Sequence, residues 1–377
     1  MKKAFAAFAL VVCLAASASG LTVMSYNVEN LFDDVRDGTE YREFDPGRGV
    51  WNAEFFKIRI DSIAEVVRKA VPGGPDILLL QEIENEHALR TLAEEGLGGM
   101  GYTWRVLVPK KNLAANVAIL SRFPLMDVRA HAVGAWKDRT PVRDVIEAAI
   151  AYEGHRLWVF DNHWKAKTGG VKGTEATRLQ AAAILSRRVR EILAQDPSAD
   201  ILVAGDMNES TDEYARTGRK YQTALIPISE TTPRKFAGQS IFLSGNTRVV
   251  GVSGDRLVLY DPWFELPRAR WGSYSYQGEW LTVDHILLSA GLFDSRGFSY
   301  RWGSFGPVRF PFLFSPEGVP KKWTGLSAGR GYSDHLPLLV TLDVHEAGCG
   351  TPLARPRYSD SGRGVHLMNA SAAGIKN

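Results

Sequence analysis

The chain has 377 residues, 45% hydrophobic and 23% charged, which excludes a disordered or low-complexity protein and leaves ample length for a buried core. The formal net charge is +3 and falls to +1 without Lys2 and Lys3, so bulk charge singles out neither a nucleic-acid binder nor a membrane-surface protein. With only Cys13 and Cys349 present, a disulfide-built scaffold is excluded as well.

Met1-Lys2-Lys3 leads into the apolar run Ala4–Ala16, which is too short to cross a bilayer, and then into Ala16-Ser17-Ala18-Ser19-Gly20. This order reads as a secretory signal peptide over residues 1–20, cleaved near Ala18 or Gly20, and predicts a secreted or periplasmic protein. Leu21–Asn27 alternates as a short strand. Phe56, Ile60, Ile63, Val67 and Ala70 recur at helical spacing, so Asn52–Val71 is an amphipathic helix, stopped by Val71-Pro72-Gly73-Gly74-Pro75. Ile77–Leu80 is a continuous apolar strand that ends at Gln81-Glu82, and a shorter helix follows over Asn85–Glu95.

Strands are then expected at Thr103–Val108, Val117–Ser121, Arg143–Tyr152 and Arg156–Asp161. Thr174–Leu193 returns to helical spacing, with Thr174 as its N-cap. Further strands fall at Ile201–Ala204, Arg256–Tyr260, Thr282–Ser289 and Leu336–Asp343. The aromatic, Pro- and Gly-rich stretch Phe293–Gly331 reads as a long functional loop, and residues 345–377 as a poorly ordered tail. Strands interleaved with helices make residues 21–344 a single α/β domain with helices covering sheet faces.

The chemistry-bearing residues gather at strand ends. Asp206 and Asn208 stand two apart after Ile201–Ala204, so an extended chain projects both to one side, although an Asx-type turn would use the same pair. Glu82 follows the other strongly apolar strand and offers a hard oxygen donor for a cation such as Mg2+; a surface Glu opening a helix looks the same. Asn27 ends the first strand, and His163 follows Arg156–Asp161 among polar and cationic neighbours. Asp284 lies within Leu281–Leu288, where an unpaired carboxylate is costly, and an imidazole from elsewhere is its natural partner. His285 points to the opposite face and reads as structural. Asp334-His335 precedes the last strand.

Taken in order, Ser25–Asn30, Leu79–Glu82, Asn116–Arg122, Asn162-His163, Gly205–Asn208, Val283–Ile286 and Ser333–His335 resemble the motifs of the endonuclease/exonuclease/phosphatase superfamily. That resemblance spans nearly the whole mature chain. It implies a four-layer α/β sandwich of the deoxyribonuclease I-like kind, with two central mixed β-sheets flanked by helices and the site at one open edge. It also implies Glu82 as the principal Mg2+ or Mn2+ ligand, assisted by Asn27 and Asp334. Asp206 would orient or activate the attacking water, with Asn208 holding it against the phosphate. His335, oriented by Asp284, would meet the phosphate, and His163 would donate to a non-bridging oxygen.

The segment Leu281–Ile286 lacks the Pro-Ala-Trp pattern of the inositol phosphatases, and a signal peptide argues against an intracellular repair enzyme. Asp161–Lys167 followed by Gly169-Gly170 looks similar to bacterial secreted nucleases. Asn116, Arg143, Lys165 and Lys167 are the candidate substrate contacts, the three cations for a DNA or RNA backbone. Trp271, Tyr274, Tyr276 and Trp280 could stack on bases or pack in the core. The resulting expectation is a secreted, metal-dependent, non-specific endonuclease, acting on DNA ahead of RNA. A sphingomyelinase-type phospholipid phosphodiesterase is the rival, since Phe305, Phe310, Phe312 and Phe314 could meet a bilayer. A catalytically inactive binding module is the alternative from another class.

Overall fold

The computed structural model describes residues 20–136, 140–228, 233–324, 331–345 and 366–369. The expected signal peptide and most of the expected tail lie outside these residues. Among them, no helix is long and apolar enough to cross a membrane.

In chain order the main strands are β1 (Gly20–Leu31), β2 (Ile77–Ile83), β3 (Trp104–Leu107), β4 (Asn116–Ser121), β5 (Leu125–His131), β6 (Val145–Tyr152), β7 (His155–His163) and β8 (Asp200–Asp206). They continue as β9 (Leu225–Pro227), β10 (Ile241–Ser244), β11 (Arg256–Tyr260), β12 (Tyr274–Tyr276), β13 (Glu279–Leu281), β14 (Asp284–Leu288), β15 (Phe298–Tyr300), β16 (Leu338–Val344) and β17 (His366–Asn369). The longer helices are α1 (Ala53–Ala70) and α3 (Val171–Gln195), with the single turn-and-a-half of α2 (Glu86–Thr91) between them.

One sheet runs β15-β16-β1-β2-β4-β3-β17 and the other β9-β10-β11-β14-β8-β7-β6-β5. Both are mixed: β1 lies parallel to β2 and β7 to β8, while β16 and β14 are antiparallel to their partners β1 and β8. The period of two along each strand decides where the side chains go. Leu21, Val23, Ile77 and Leu79 meet Leu157, Val159, Leu202, Ala204, Ile286 and Leu288 in the layer between the sheets. Met24, Tyr26, Leu78 and Leu80 turn the other way onto Phe56, Ile60, Ile63 and Val67 of α1. Ile201 and Val203 turn outward onto Leu185, Val189 and Ile192 of α3. Four layers result, and strands buried on both faces explain why Ile77–Leu80 and Ile201–Ala204 are unbroken apolar runs.

Asn52 caps α1, its Oδ1 accepting from the Glu54 and Phe55 amides. The expected Thr174 cap is not used. Gly169 and Gly170, at φ 103° and 102°, start α3 at Val171, so Thr174 falls in its first turn and its Oγ1 donates to Gly170 O at 3.0 Å. The described part of the Phe293–Gly331 stretch, residues 293–324 and 331, is also more structural than a loop. It contributes β15 to the first sheet, Phe305 is buried in the inter-sheet layer, and Phe310, Phe312 and Phe314 pack against the α1-side core. The Asn369 end of β17 pairs with Trp104 of β3, within the range expected to be tail.

Candidate active site

Apolar alternation in the inter-sheet layer ends in polar residues at one edge of the sandwich. Asn27 continues the Leu21–Val23 face, His163 continues Leu157–Val159, Asp206 continues Leu202–Ala204, and Asp284 precedes Ile286–Leu288 on its face. Register places them abreast, because Asp206 pairs with His163 on one side and with Asp284 on the other. Glu82 has the wrong parity for this face. A register shift between Gln81 and Ile83 and a φ of 70° at Glu82 re-aim its carboxylate into the site. Asn208 is likewise held at φ 51°.

Gly205 makes this packing possible. Its φ is 124°, and a Cβ there would lie 2.0 Å from Asn162 O, so β7 and β8 approach each other only because the position is glycine.

Asn27 Nδ2 donates to Asp206 Oδ2 at 3.1 Å and to Glu82 Oε1 at 3.3 Å, while its Oδ1 accepts from the Glu29 amide at 3.0 Å. His163 Nε2 lies 3.4 Å from Asp206 Oδ2 and 3.7 Å from Glu82 Oε1. His335 Nε2 lies 3.9 Å from Asp206 Oδ2 and 3.8 Å from Asp334 Oδ1, with its Nδ1 held by Asp284 Oδ2 at 2.8 Å. Asn208 donates from its backbone to Asp206 Oδ1 at 2.8 Å and from Nδ2 to Asp206 Oδ2 at 3.1 Å and Trp164 O at 3.2 Å. All eight residues proposed for catalysis and metal binding therefore converge.

The two histidines are set in opposite charge states. Burial, with Arg143, His335 and Lys165 nearby, holds His163 well below the ordinary imidazole range, so it is neutral. Burial alone would lower His335 too, but the Asp284, Asp206 and Asp334 carboxylates hold it well above that range as an imidazolium. Asp206 is pushed up to about 7 by burial and by Asp284 and Glu82, against the opposing pull of His335. Asp334 is also raised, by burial and the Glu82 and Asp284 carboxylates. Crowded, buried oxygen donors of this kind suit a hard divalent cation, which would relieve their repulsion. Glu82 and Asp334, with Asn27 alongside, are the residues that would hold it.

The four substrate candidates divide. Arg143 and Lys165 both act electrostatically on His163, so they flank the site with positive charge. Arg143 Nε is anchored on Ala115 O at 2.9 Å. Lys167 pairs with buried Glu213 at 2.7 Å, and Asn116 spends its amide on Glu84 O and the Lys110 amide. Those two hold loops rather than stand open beside the site. Of the aromatic candidates, Trp271 is core, Trp280 packs with Phe314 and Arg309, and Tyr274 stacks on His335 with ring centroids 4.7 Å apart. His285 is structural as expected, with Nε2 2.8 Å from Glu209 O.

Two contributors, Glu29 and Ser273, escaped the sequence reading, and Tyr274 was singled out only as a base-stacking or core aromatic. Glu29 Oε2 accepts from the Trp323 amide at 2.6 Å and the Asp334 amide at 3.0 Å, tying two late loops to β1. Burial and the Asp334 carboxylate push Glu29 up to about 8. Its signal was its place two residues after Asn27. Ser273 Oγ donates to Asp284 Oδ2 at 2.5 Å, and Tyr274 supports the His335 ring. Nothing in the local pattern marks Ser273, and the aromatic pattern that drew attention to Tyr274 does not show its contact with His335.

Residues 22–222 match the family model described as Endonuclease/Exonuclease/phosphatase family. Among curated proteins none matches. Among solved structures, D. rerio TDP2 complexed with single strand DNA product is similar at 14% identity and a TM-score of 0.51, covering 86% of this chain and 100% of that one. Truncated Caenorhabditis elegans TDP2 is similar at 15% identity and 0.50, covering 86% and 98%. An endonuclease/exonuclease/phosphatase family protein from Bacteroides thetaiotaomicron shares 17% identity at 0.48, covering 87% and 98%. At these identities the likeness is one of fold. The match across residues 22–222, on a sandwich whose motifs converge at one edge, places the chain in the endonuclease/exonuclease/phosphatase family of metal-dependent phosphoesterases.

Proposed function

We propose that this protein is a secreted, divalent-metal-dependent phosphodiesterase that hydrolyses nucleic acid, DNA ahead of RNA, by in-line attack of an activated water. One observation carries the hydrolytic reading: a neutral His163 and a protonated His335 both reach Asp206 Oδ2, at 3.4 and 3.9 Å. A neutral imidazole and an imidazolium thus face one carboxylate, so that a hydrogen-bond donor, an acid and the base Asp206 stand within one water's reach. Asp206, near 7, orients the water and takes its proton, and Asn208 braces Asp206 through two hydrogen bonds. His335, oriented by Asp284, meets the charge that develops on phosphate, and His163 orients at the neighbouring oxygen. A divalent cation, Mg2+ or Mn2+, when bound by Glu82, Asp334 and Asn27, supplies Lewis-acid stabilisation of the phosphoryl oxygens.

The flanks of the site support a nucleic-acid substrate. Arg143 and Lys165 lie on the His163 side, and Tyr274 lies on the His335 side, with the 56%-exposed Tyr276 two residues further along the same strand. Backbone phosphates favour the first flank and bases the second. The DNA seen with D. rerio TDP2 belongs to that protein and makes DNA the first substrate to try. The lipid reading loses its support, because Phe305 is buried and Phe310, Phe312 and Phe314 pack inward. The apolar run after Met1-Lys2-Lys3 supports secretion.

The test is to incubate the mature protein with supercoiled plasmid, RNA and sphingomyelin vesicles, with Mg2+ or with a chelator. Plasmid nicking that disappears on chelation and in His335→Ala is expected. Phosphocholine release without nicking would sink the nuclease reading. No turnover of any of these, or of a simple phosphomonoester, would favour an inactive binding module.

A further inference from the structure

A second acidic cluster lies outside the site, where the segment following β1 folds back on the end of β2. Asp37, Glu40 and Glu84 each place a carboxylate oxygen within 4.8 Å of the other two. The loop organises itself to do so. Glu40 accepts from the Asp37 and Gly38 amides, and Asp37 Oδ1 accepts from the Thr39 amide at 2.8 Å and hydroxyl at 2.7 Å. Among the described residues none of the three carboxylates has an ion-pair partner, and the nearby His87 is taken by Asp33 at 3.0 Å. Three carboxyl groups are thus gathered without a counter-charge from the described residues, and burial with the Asp33, Asp37 and Glu40 carboxylates pushes Glu84 up to about 9.

A separate observation points to a ligand. Glu84 is only 3% exposed, and its Oε2 accepts from the Asp33 amide at 2.7 Å. Its Oε1 is equally buried and has no hydrogen-bond partner. A buried, unpartnered carboxyl oxygen beside two further carboxylates is costly unless a proton or a cation meets it, and a divalent cation would displace the proton and serve all three groups at once. The donor set is all oxygen, on one rigid strand end and one loop, which suits calcium. Calcium takes carboxylates, mono- or bidentate, in irregular geometry at about 2.4 Å. Magnesium would demand a tighter octahedron and keep most of its water.

We propose that Asp37, Glu40 and Glu84 form a calcium site that ties the segment between β1 and α1 to the end of β2. It goes beyond the hydrolytic reading and does not depend on it. The site would fix the loop that carries Tyr41, whose ring lies 5.1 Å from Phe32 at the end of β1.

The test is calorimetric titration of Ca2+ into the chelator-stripped full chain. The variants are Asp37→Asn/Glu40→Gln, which alters only the loop, Glu84→Gln, and Glu82→Gln/Asp334→Asn, with circular dichroism confirming that each folds. One calcium ion is expected to bind the Glu82→Gln/Asp334→Asn protein as it binds wild type. In Asp37→Asn/Glu40→Gln that binding should weaken by about 100-fold or more. Terbium luminescence sensitised through Trp51, whose Nε1 donates to Asp33 O at 2.5 Å, gives an independent readout that Glu84→Gln should abolish. An unchanged isotherm in Asp37→Asn/Glu40→Gln overturns the proposal, as does absence of calcium binding by Glu82→Gln/Asp334→Asn at about 5 mM free Ca2+. Loss of hydrolysis with calcium binding intact would count against the hydrolytic reading alone.

Discussion

His335 Nδ1 donates to Asp284 Oδ2 at 2.8 Å, across 51 residues of sequence, and Ser273 Oγ donates to the same oxygen at 2.5 Å. The carboxylate therefore fixes the ring and holds it protonated. The folded-state value of His335 is raised, so the imidazolium persists to high pH and is lost only as pH rises through that value. Asp284→Asn removes the charge but keeps the shape. It should lower kcat by about 10²- to 10⁴-fold and move the alkaline limb of the kcat–pH profile to lower pH. An unmoved limb would show that Asp284 does not set the charge of His335.

Gly205→Ala tests the close approach of β7 and β8. A Cβ there meets Asn162 O at 2.0 Å and sits at φ 124°, so the strands must separate or the backbone must change. The expected loss is roughly 3 kcal/mol or more of stability, read by denaturant unfolding. A variant as stable as wild type would mean that the strand pair yields at little cost.

Tyr276 follows Tyr274 at the period of one strand face, and Tyr274 stacks on His335. In the proposed reading its exposed ring meets an unstacked base. Tyr276→Ala should raise KM for a single-stranded oligonucleotide by about tenfold while leaving kcat and thermal stability unchanged. Equal KM values would remove the aromatic flank from substrate binding.

Asp200, at the opposite end of β8 from Asp206, is pushed up to about 8 by burial and by Asp294 and Asp196, partly offset by the Phe298 amide. Its folded state holds a proton that the unfolded chain releases near pH 4. The associated stability is present in full below that pH and is lost as pH rises through about 8. Asp200→Asn should melt with wild type at pH 4 and above it at pH 9, by roughly 2 kcal/mol. Identical melting at pH 9 would show that Asp200 carries no such penalty.

Most strands and helices were legible because both faces of each sheet are covered, which writes continuous apolar runs at Ile77–Leu80 and Ile201–Ala204. Asp206, Asp284 and His163 were legible as polar ends of those runs. Glu82 was found by its position after the run, but strand parity alone would have pointed it away, and only the φ of 70° brings it in. The short strands β9 and β10 were missed, since Leu225–Pro227 and Ile241–Ser244 are too brief to show a period. Ser273 was invisible, and Tyr274 was noted without its partner, because Asp284 and His335 are brought to them only by the tertiary fold. The inward packing of Phe310, Phe312 and Phe314 was hidden for the same reason.

The most direct test is hydrolysis of bis(p-nitrophenyl) phosphate by the purified protein, followed before chelation, after it, and on return of Mg2+. The predicted result is activity that is abolished by chelator, restored by Mg2+, and at least about 10³-fold lower in Glu82→Gln. Hydrolysis that continues at the original rate in chelator, or in Glu82→Gln, would contradict the assignment of a metal-dependent centre at Glu82, Asp206 and His335.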